Sequence, residues 1–208
     1  MDYVRCSTYK PPFLMTKLLF ASSNSNKAKE IEAALPKDYS LVTMKDAGFA
    51  LDIPEPFQTL EENAIHKAST LSKTFYVNCF AEDTGLETEA LDGAPGVRTA
   101  RYAGENASDS QNIEKLLSTL KDKQNRRARF KTVIALIIGD REILFTGICE
   151  GVIAESPAGV GGFGYDPIFI PDGSDKTFAE MSMEEKNKFS HRKKALSKMV
   201  EFLYSGNK

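Results

Sequence analysis

Apolar residues in this chain fall into two kinds of run. Leu18-Leu19-Phe20-Ala21, Ser40–Thr43, Asn78–Ala81 and Ile168-Phe169-Ile170 are short and have the length of buried strands. Other stretches repeat apolar residues at helical spacing. Lys27–Leu35 carries Ala28, Ile31, Ala34 and Leu35, and the segment after Thr59 carries Leu60, Ala64, Ala68, Leu71 and Phe75. The segment after Ser108 carries Ile113, Leu116, Leu117 and Leu120, and the last carries Leu196, Met199, Val200 and Leu203. Capping-box patterns open three helices, Thr59…Glu62, Ser108…Gln111 and Ser182…Glu185, and Ser190 is placed to cap the last. Ala128–Ile138 and Glu142–Glu155 are rich in β-branched residues and flank Gly139-Asp140, which predicts an antiparallel hairpin. The proline-interrupted Asp52–Gln58, the Ala94–Gly104 segment and the Gly159–Gly164 run read as loops.

Chemistry-bearing residues collect where these elements end. The expected strand over Asn78–Ala81 runs into Glu82-Asp83-Thr84-Gly85. Adjacent carboxylates are costly neighbours unless a cation lies beside them, and Mg²⁺ takes one or two carboxylates plus substrate phosphates. A turn rich in Asp and Gly accounts for the same letters. Ser22 to Asn26 joins a strand to a helix, the arrangement that aims backbone N–H groups at an anion. Lys27 stands at that helix start, where a cation opposes the macrodipole and an anionic ligand would relieve it; an ordinary turn with an exposed lysine is the alternative. Asn63 and Lys67 lie four apart and share a helix face, expected away from most of the apolar stripe. Glu55 is presented between Pro54 and Pro56, and Arg98, Arg101 and Tyr102 fall near the carboxylates. In Gly159–Gly164 the glycines permit positive φ and close approach, and Phe163 and Tyr165 offer rings for stacking on a flat ligand. Lys186, His191 and Arg192 follow near helix starts.

Composition narrows the partners. The 208 residues favour one domain, with Met1–Met15 as a poorly ordered extension and 16–208 as the folded unit. With 27 basic and 29 acidic residues the net charge is -2, so no global field favours nucleic acid. Cys6, Cys79 and Cys149 form no CxxC pair, which argues against a disulfide scaffold or structural zinc and for a reducing compartment. No run reaches the ~18 apolar residues of a membrane span, and the first fifteen lack a signal-peptide core; a cytoplasmic protein is expected. No GxxxxGK[ST] motif occurs. Cations for phosphate, carboxylates for metal and water, and a ring for a base together suit a nucleoside triphosphate with a divalent metal.

The motifs, taken in order, resemble the inosine triphosphate pyrophosphatase (Ham1-like) family over about Lys17–Tyr204. They are Asn24-Ser-Asn-Lys27, Thr59-Leu-Glu-Glu-Asn-Ala-Ile-His-Lys67, Glu82-Asp-Thr-Gly-Leu86, Gly93-Ala-Pro-Gly96, Ala100-Arg-Tyr-Ala-Gly104, Gly161-Gly-Phe-Gly-Tyr-Asp-Pro167 and Glu185-Lys186…Ser190-His191-Arg192. Three positions depart from the family pattern: Ser22-Ser23 replaces Thr-Gly, Glu82 stands where Asp is common, and Arg98 stands where an aromatic is usual. The resemblance implies an elongated two-lobed α/β fold around a long central mixed sheet, with the active site in the cleft between the lobes. It also implies a homodimer, and hydrolysis of ITP, dITP and XTP to monophosphate and pyrophosphate with Mg²⁺ or, in its place, Mn²⁺.

The same resemblance assigns catalysis to Asp83, Glu82 and Lys67, with Asp83 as base, metal ligand or both, and metal binding to Glu55, Glu82 and Asp83. Substrate contacts fall to Ser22, Asn24, Lys27, Lys67, Thr84, Phe163, Gly164, Tyr165, Asp166, Lys186, His191 and Arg192. Arg192 could donate to O6 of the base, or to phosphate. The rival readings are a Maf-like pyrophosphatase of modified or pyrimidine nucleotides, against which the Phe-Gly-Tyr-Asp and Ser-His-Arg motifs speak, and a non-enzymatic nucleotide binder, against which intact Glu82 and Asp83 speak.

Overall fold

The structure, a computed structural model, describes residues 16–22, 24–37, 39–48 and 53–205. The extension expected over Met1–Met15 lies outside them, as do Ser23 and Asp52. The fold is α/β and built on one mixed sheet. β1 (Thr16–Phe20) and β2 (Tyr39–Thr43) pair in parallel and are joined through α1 (Ser25–Ala34). α2 (Leu60–Phe75) leads to β3 (Cys79–Thr88), and the two-residue β4 (Pro95–Gly96) and then α3 (Asp109–Thr119) follow. β5 (Arg127–Ile138) and β6 (Arg141–Ile153) form the expected antiparallel hairpin, turned at Gly139, whose φ is +56°. β7 (Phe169–Pro171), α4 (Met183–Phe189) and α5 (His191–Ser205) complete the chain. The strand order is β2-β1-β3-β5-β6-β7, with β4 also beside β3.

The acidic pair does not sit beyond a strand end, as expected from the apolar run; β3 continues through it to Thr88. Its polar residues stay in the ladder because β5 pairs with the strand along its whole length, from Cys79↔Ile137 to Thr88↔Ala128. On the other edge β3 is covered only in part. Parallel pairing to β1 stops at Phe20↔Phe80, and pairing to β4 covers only Leu86 and Glu87. Ala81 to Gly85 therefore form the stretch of β3 left between two partners, and there the sheet opens into a cleft.

Alternation along β3 and β5 sorts their side chains onto two layers. Phe80, Ile134 and Leu136 pack with Ile31 of α1 and with Ala195, Leu196 and Met199 of α5. Cys79, Ala81, Val133 and Ala135 pack with Leu60, Ala64, Ala68 and Leu71 of α2. A third cluster, at the far end of the same long strands, joins Leu86, Phe130, Cys149 and Ile153 to Ile113 and Leu116 of α3 and to Tyr165, Phe169 and Phe178. The first two clusters make one lobe and the third makes the other.

α5 lies hard against β6. A Cβ built at Gly147 would fall 2.0 Å from the carbonyl oxygen of His191 and 2.5 Å from the backbone nitrogen of Ala195. Both contacts are backbone, so no rotamer change relieves them. Gly147→Ala is therefore expected to cost about 1–3 kcal/mol of stability in denaturant unfolding and, by lifting the start of α5, to lower activity as well. Unchanged stability would show that α5 can shift freely on the strand.

Candidate active site

The first wall of the cleft is the turn from β1 into α1. Asn24 caps the helix, its side-chain oxygen accepting from the backbone N–H of Asn26 and Lys27 at 3.0 and 3.2 Å. Ser22 Oγ accepts from Asn24 N at 3.2 Å. The turn so wound sends Lys27 toward the sheet, where its Nζ lies 3.3 Å from Glu82 Oε1.

The period of two in β3 then separates the acidic pair. Asp83 faces α2, where Lys67 Nζ donates to its Oδ1 at 3.0 Å and to Glu55 Oε1 at 2.6 Å. Lys67 and Asn63 are buried, contrary to the expectation that they point away from the apolar stripe. They stand three residues after Leu60 and Ala64, so the stripe widens to include them. Asn63 accepts from Phe57 N and donates to Phe57 O, holding the loop that presents Glu55. Burial raises the Asp83 carboxyl above the usual Asp value, more than Lys67 lowers it. Glu55 stays below its ordinary value because Lys67 outweighs its burial, and Lys67 is raised because Asp83 and Glu55 outweigh its own.

Glu82 turns to the opposite layer. Arg192 Nε donates to its Oε2 at 2.8 Å, and Arg192 and Lys27 together outweigh burial and hold its pKa at about 2. Arg192 also donates through Nη1 to Glu30 and through Nη2 to Thr84 Oγ1 at 3.4 Å. Glu30 is buried in α1, and its other oxygen accepts from Lys186 Nζ at 2.5 Å, while Lys186 also donates to Asp166 Oδ2 at 2.6 Å. Glu30 was not among the residues expected from sequence. Its one signal is a carboxylate next to Ile31, on the buried side of an otherwise amphipathic helix.

The glycine loop closes the second wall. Gly162 has φ +73°, and a Cβ there would strike Asp166 Oδ2 at 2.0 Å. That same oxygen accepts from Phe163 N at 2.9 Å, and Gly164 N donates to Asp109 Oδ2 at 2.7 Å. The half-buried Phe163 ring carries Lys186 Nζ 5.3 Å and Arg192 Cζ 5.8 Å from its centroid. Tyr165 is not the ring free to stack on a ligand that its glycine run suggests: it is buried in the core of the second lobe and donates its hydroxyl to Thr99 O at 3.0 Å. His191 is buried too, stacked on Phe130 at 4.7 Å, and burial with the nearby Arg192 and Lys186 keeps it neutral.

Between these walls lies a cavity of about 700 Å³, lined by residues of both lobes, among them Asn24, Lys27, Asp83, Phe163 and Arg192. It is within the size range of small-molecule sites. Among the described residues no three acidic, His or Cys side chains converge on one point, because Glu82 is turned away from Glu55 and Asp83. Asp83 Oδ2 and Glu82 Oε1 are buried and accept no hydrogen bond from the described residues. A cation that keeps waters and shares phosphate oxygens needs only one or two such carboxylates, so Glu55 and Asp83 fit Mg²⁺.

The family model of the Ham1 family matches residues 18–202. The chain belongs to the Ham1 family. The chain is 50% identical over 186 residues to the dITP/XTP pyrophosphatase of Flavobacterium psychrophilum, an alignment spanning 89% of this chain and 98% of that protein. To the dITP/XTP pyrophosphatase of Bacillus subtilis it is 45% identical over 194 residues, spanning 91% and 98%. The Staphylococcus aureus Ham1 structure superposes with a TM-score of 0.83 at 41% identity, covering 93% of this chain and all of that one. The two-lobed sheet and its cleft are thus a Ham1 fold, and all of the residues expected at the site that are described here line the cleft or touch those that do.

The buried ion pairs make stability depend on pH. Glu82 has a folded pKa of about 2 against 4.5 for the free group, so its contribution is fully present above pH 4.5 and is lost as pH falls toward 2. Arg192→Ala leaves Glu82 and Glu30 without their guanidinium and should cost about 3–5 kcal/mol at neutral pH. It should also flatten the loss between pH 4.5 and 2. Denaturant unfolding across that window checks both; a parallel pH profile in the variant would show that Arg192 does not set the Glu82 pKa.

Proposed function

We propose that this Ham1 protein hydrolyses non-canonical purine nucleoside triphosphates (dITP, XTP and ITP) to the monophosphate and pyrophosphate, clearing them from the nucleotide pool. The observation that carries this reading is the pair Asp83 and Lys67 in the cleft, with Asp83 Oδ1 held by Lys67 and Oδ2 bonded to no described residue. The curated relatives named dITP/XTP pyrophosphatase supply the substrate class. The Maf-like and purely binding alternatives have no comparable support.

In this reading Asp83 is the general base. Its raised pKa makes it a stronger base than a free Asp, and Lys67 holds it in place. It takes a proton from a water that attacks the α-phosphorus, and pyrophosphate leaves. Lys27, Lys67 and Lys186 offset phosphate charge, and Ser22, Asn24 and Thr84 border the phosphates. Mg²⁺, with Mn²⁺ as a substitute, would be held by Glu55 and Asp83, with Glu82 reaching it at most through water; it would neutralise phosphate charge and acidify the attacking water.

Phe163 stacks on the base. Gly164, Tyr165, Asp166 and His191 shape the pocket around it. Arg192 spends three of its five N–H donors on Glu82, Glu30 and Thr84, which leaves donors for O6. Adenine presents a donor at that position and would leave the pocket's own donors unpaired, a mismatch that can reach ~10⁴-fold. The reading includes residues 16–208 as one catalytic domain, a homodimer and a cytoplasmic location. Among the described residues no helix is long and apolar enough to cross a membrane. Light scattering on the purified protein tests the dimer.

Incubation with dITP, XTP, ITP and ATP in Mg²⁺ should give monophosphate and pyrophosphate from the first three without a diphosphate intermediate. An obligatory IDP would overturn the reading. Asp83→Asn should lower kcat about 10²- to 10⁴-fold with nucleotide affinity kept. In the wild type kcat/KM should rise with pH as Asp83 ionises, above the 3.8 of a free Asp, and the residual activity of the variant should lack that limb. A variant keeping near-wild-type kcat removes Asp83 as base.

A further inference from the structure

The cations around the cleft differ in how firmly they are engaged. Lys67 and Lys186 each bridge two carboxylates within 3.0 Å and are buried, and Arg192 is likewise buried between Glu82 and Glu30. Arg101 is held differently. Its Nη1 is 3.4 Å from Glu55 Oε2, its Nη2 donates to Glu55 O at 3.2 Å, and its Nε is 3.9 Å from Glu105, whose side chain is 76% exposed. The Arg101 side chain is 23% exposed and lines the cleft beside Lys67 and Glu55.

The backbone beneath this loose side chain is fixed. Arg101 ends a short 3₁₀ turn that begins at Thr99. Thr99 Oγ1 accepts from Leu86 N at 2.8 Å and donates to Gly96 O at 2.6 Å, which fastens the turn to β3 and β4. Tyr165 donates to Thr99 O at 3.0 Å. Asn112 of α3 donates to Ala100 O at 3.1 Å and accepts from Ala103 N at 2.7 Å. A guanidinium on a rigid base, with weak partners it can release and a forked geometry suited to phosphate oxygens, is prepared for an anion.

We propose that Arg101 binds the β- and γ-phosphates of the nucleotide, leaving the Glu55 carboxylate as it does so. The inference rests on the triphosphate reading above and adds to it a recognition element for the leaving pyrophosphate. On binding, the fork trades its long Nη1 contact to the Glu55 carboxylate and its Nη2 bond to Glu55 O for charge-assisted bonds to phosphate, and Glu55 Oε2 is released toward the cleft. Arg101 thereby favours the triphosphate over the monophosphate product.

The test is calorimetric titration of pyrophosphate and of inosine monophosphate, separately, into wild type, Arg101→Gln and Arg101→Lys, with Mg²⁺ at several concentrations. Each variant is first checked for wild-type unfolding. Arg101→Gln should weaken pyrophosphate about 10- to 150-fold and change inosine monophosphate by less than about twofold; Arg101→Lys, which keeps charge without the fork, should fall between. Equal loss for both ligands, or none, overturns the proposal. So does a pyrophosphate defect abolished by excess Mg²⁺, since Arg101 would then act only by positioning Glu55. Failure of the wild type to hydrolyse dITP or XTP would overturn the proposed function instead, and the pyrophosphate titration would still read Arg101 independently.

Discussion

Arg192 is the joint on which the cleft depends. An arginine 2% exposed in an α/β core is tolerable only because two carboxylates from different elements meet it, Glu30 of α1 and Glu82 of β3. Both partners are themselves buried, so each side of the joint depends on the other. The arrangement therefore locks three elements together: α1 on one side, the gap in β3 on the other, and the first turn of α5 between them. Lys186 extends it to Asp166, whose second role is to accept from Phe163 N in the glycine loop. Charge placement in the first lobe thus fixes a ring on the wall formed by the second.

This joint has a local cost. His191 and Arg192 fall in the first turn of α5, where the helix dipole disfavours cations. His191 avoids the cost by staying neutral, buried against Phe130. Arg192 offsets it with its ion pairs. Ser190 closes α4 and its Oγ accepts from Lys193 N at 3.2 Å, so the two short-range breaks that place these residues are made by one cap. Gly147 is the complement on the sheet, the absent side chain that lets the start of α5 come close enough for the guanidinium to reach Glu82.

Much of this could be read from the letters, and the reasons for the rest are specific. The hairpin, α1, α3 and α5 follow from apolar period and caps, and the capping boxes at Ser108 and Ser182 form with both reciprocal bonds. The extent of β3 could not be read. Its apolar run ends at Ala81, and only pairing to β5, forty to sixty residues later, keeps the polar residues in the ladder. Local spacing sets Lys67 and Asn63 away from the apolar stripe, yet they are buried because their partners, Asp83 and the Phe57 backbone, come from other elements. Glu30 was missed for the same reason: its two cations lie more than 150 residues away. Tyr165 was misplaced because a glycine-rich neighbourhood says nothing of the core a ring can reach. Local signals locate elements; buried charge is paired over long range and becomes legible only once the sheet is assembled.

The sharpest outcome of that assembly lies in two neighbouring residues. Glu82 and Asp83 are one peptide apart, yet the period of two in β3 sends them to different layers. Glu82 meets Arg192 and Lys27, which outweigh burial and hold it near 2. Asp83 meets Lys67, which is shared with Glu55, and there burial wins and the carboxyl is raised. A carboxylate bound that firmly to arginine is too weak a base to take a proton from water and serves as a fixed counter-ion. One kept basic by burial, with an oxygen that accepts from none of the described residues, suits proton transfer. In the proposed reaction the two environments would divide counter-ion from base within a single dipeptide. The division requires β3 to be a strand at that point: in a turn both carboxylates could face the same cations, and the distinction would be lost.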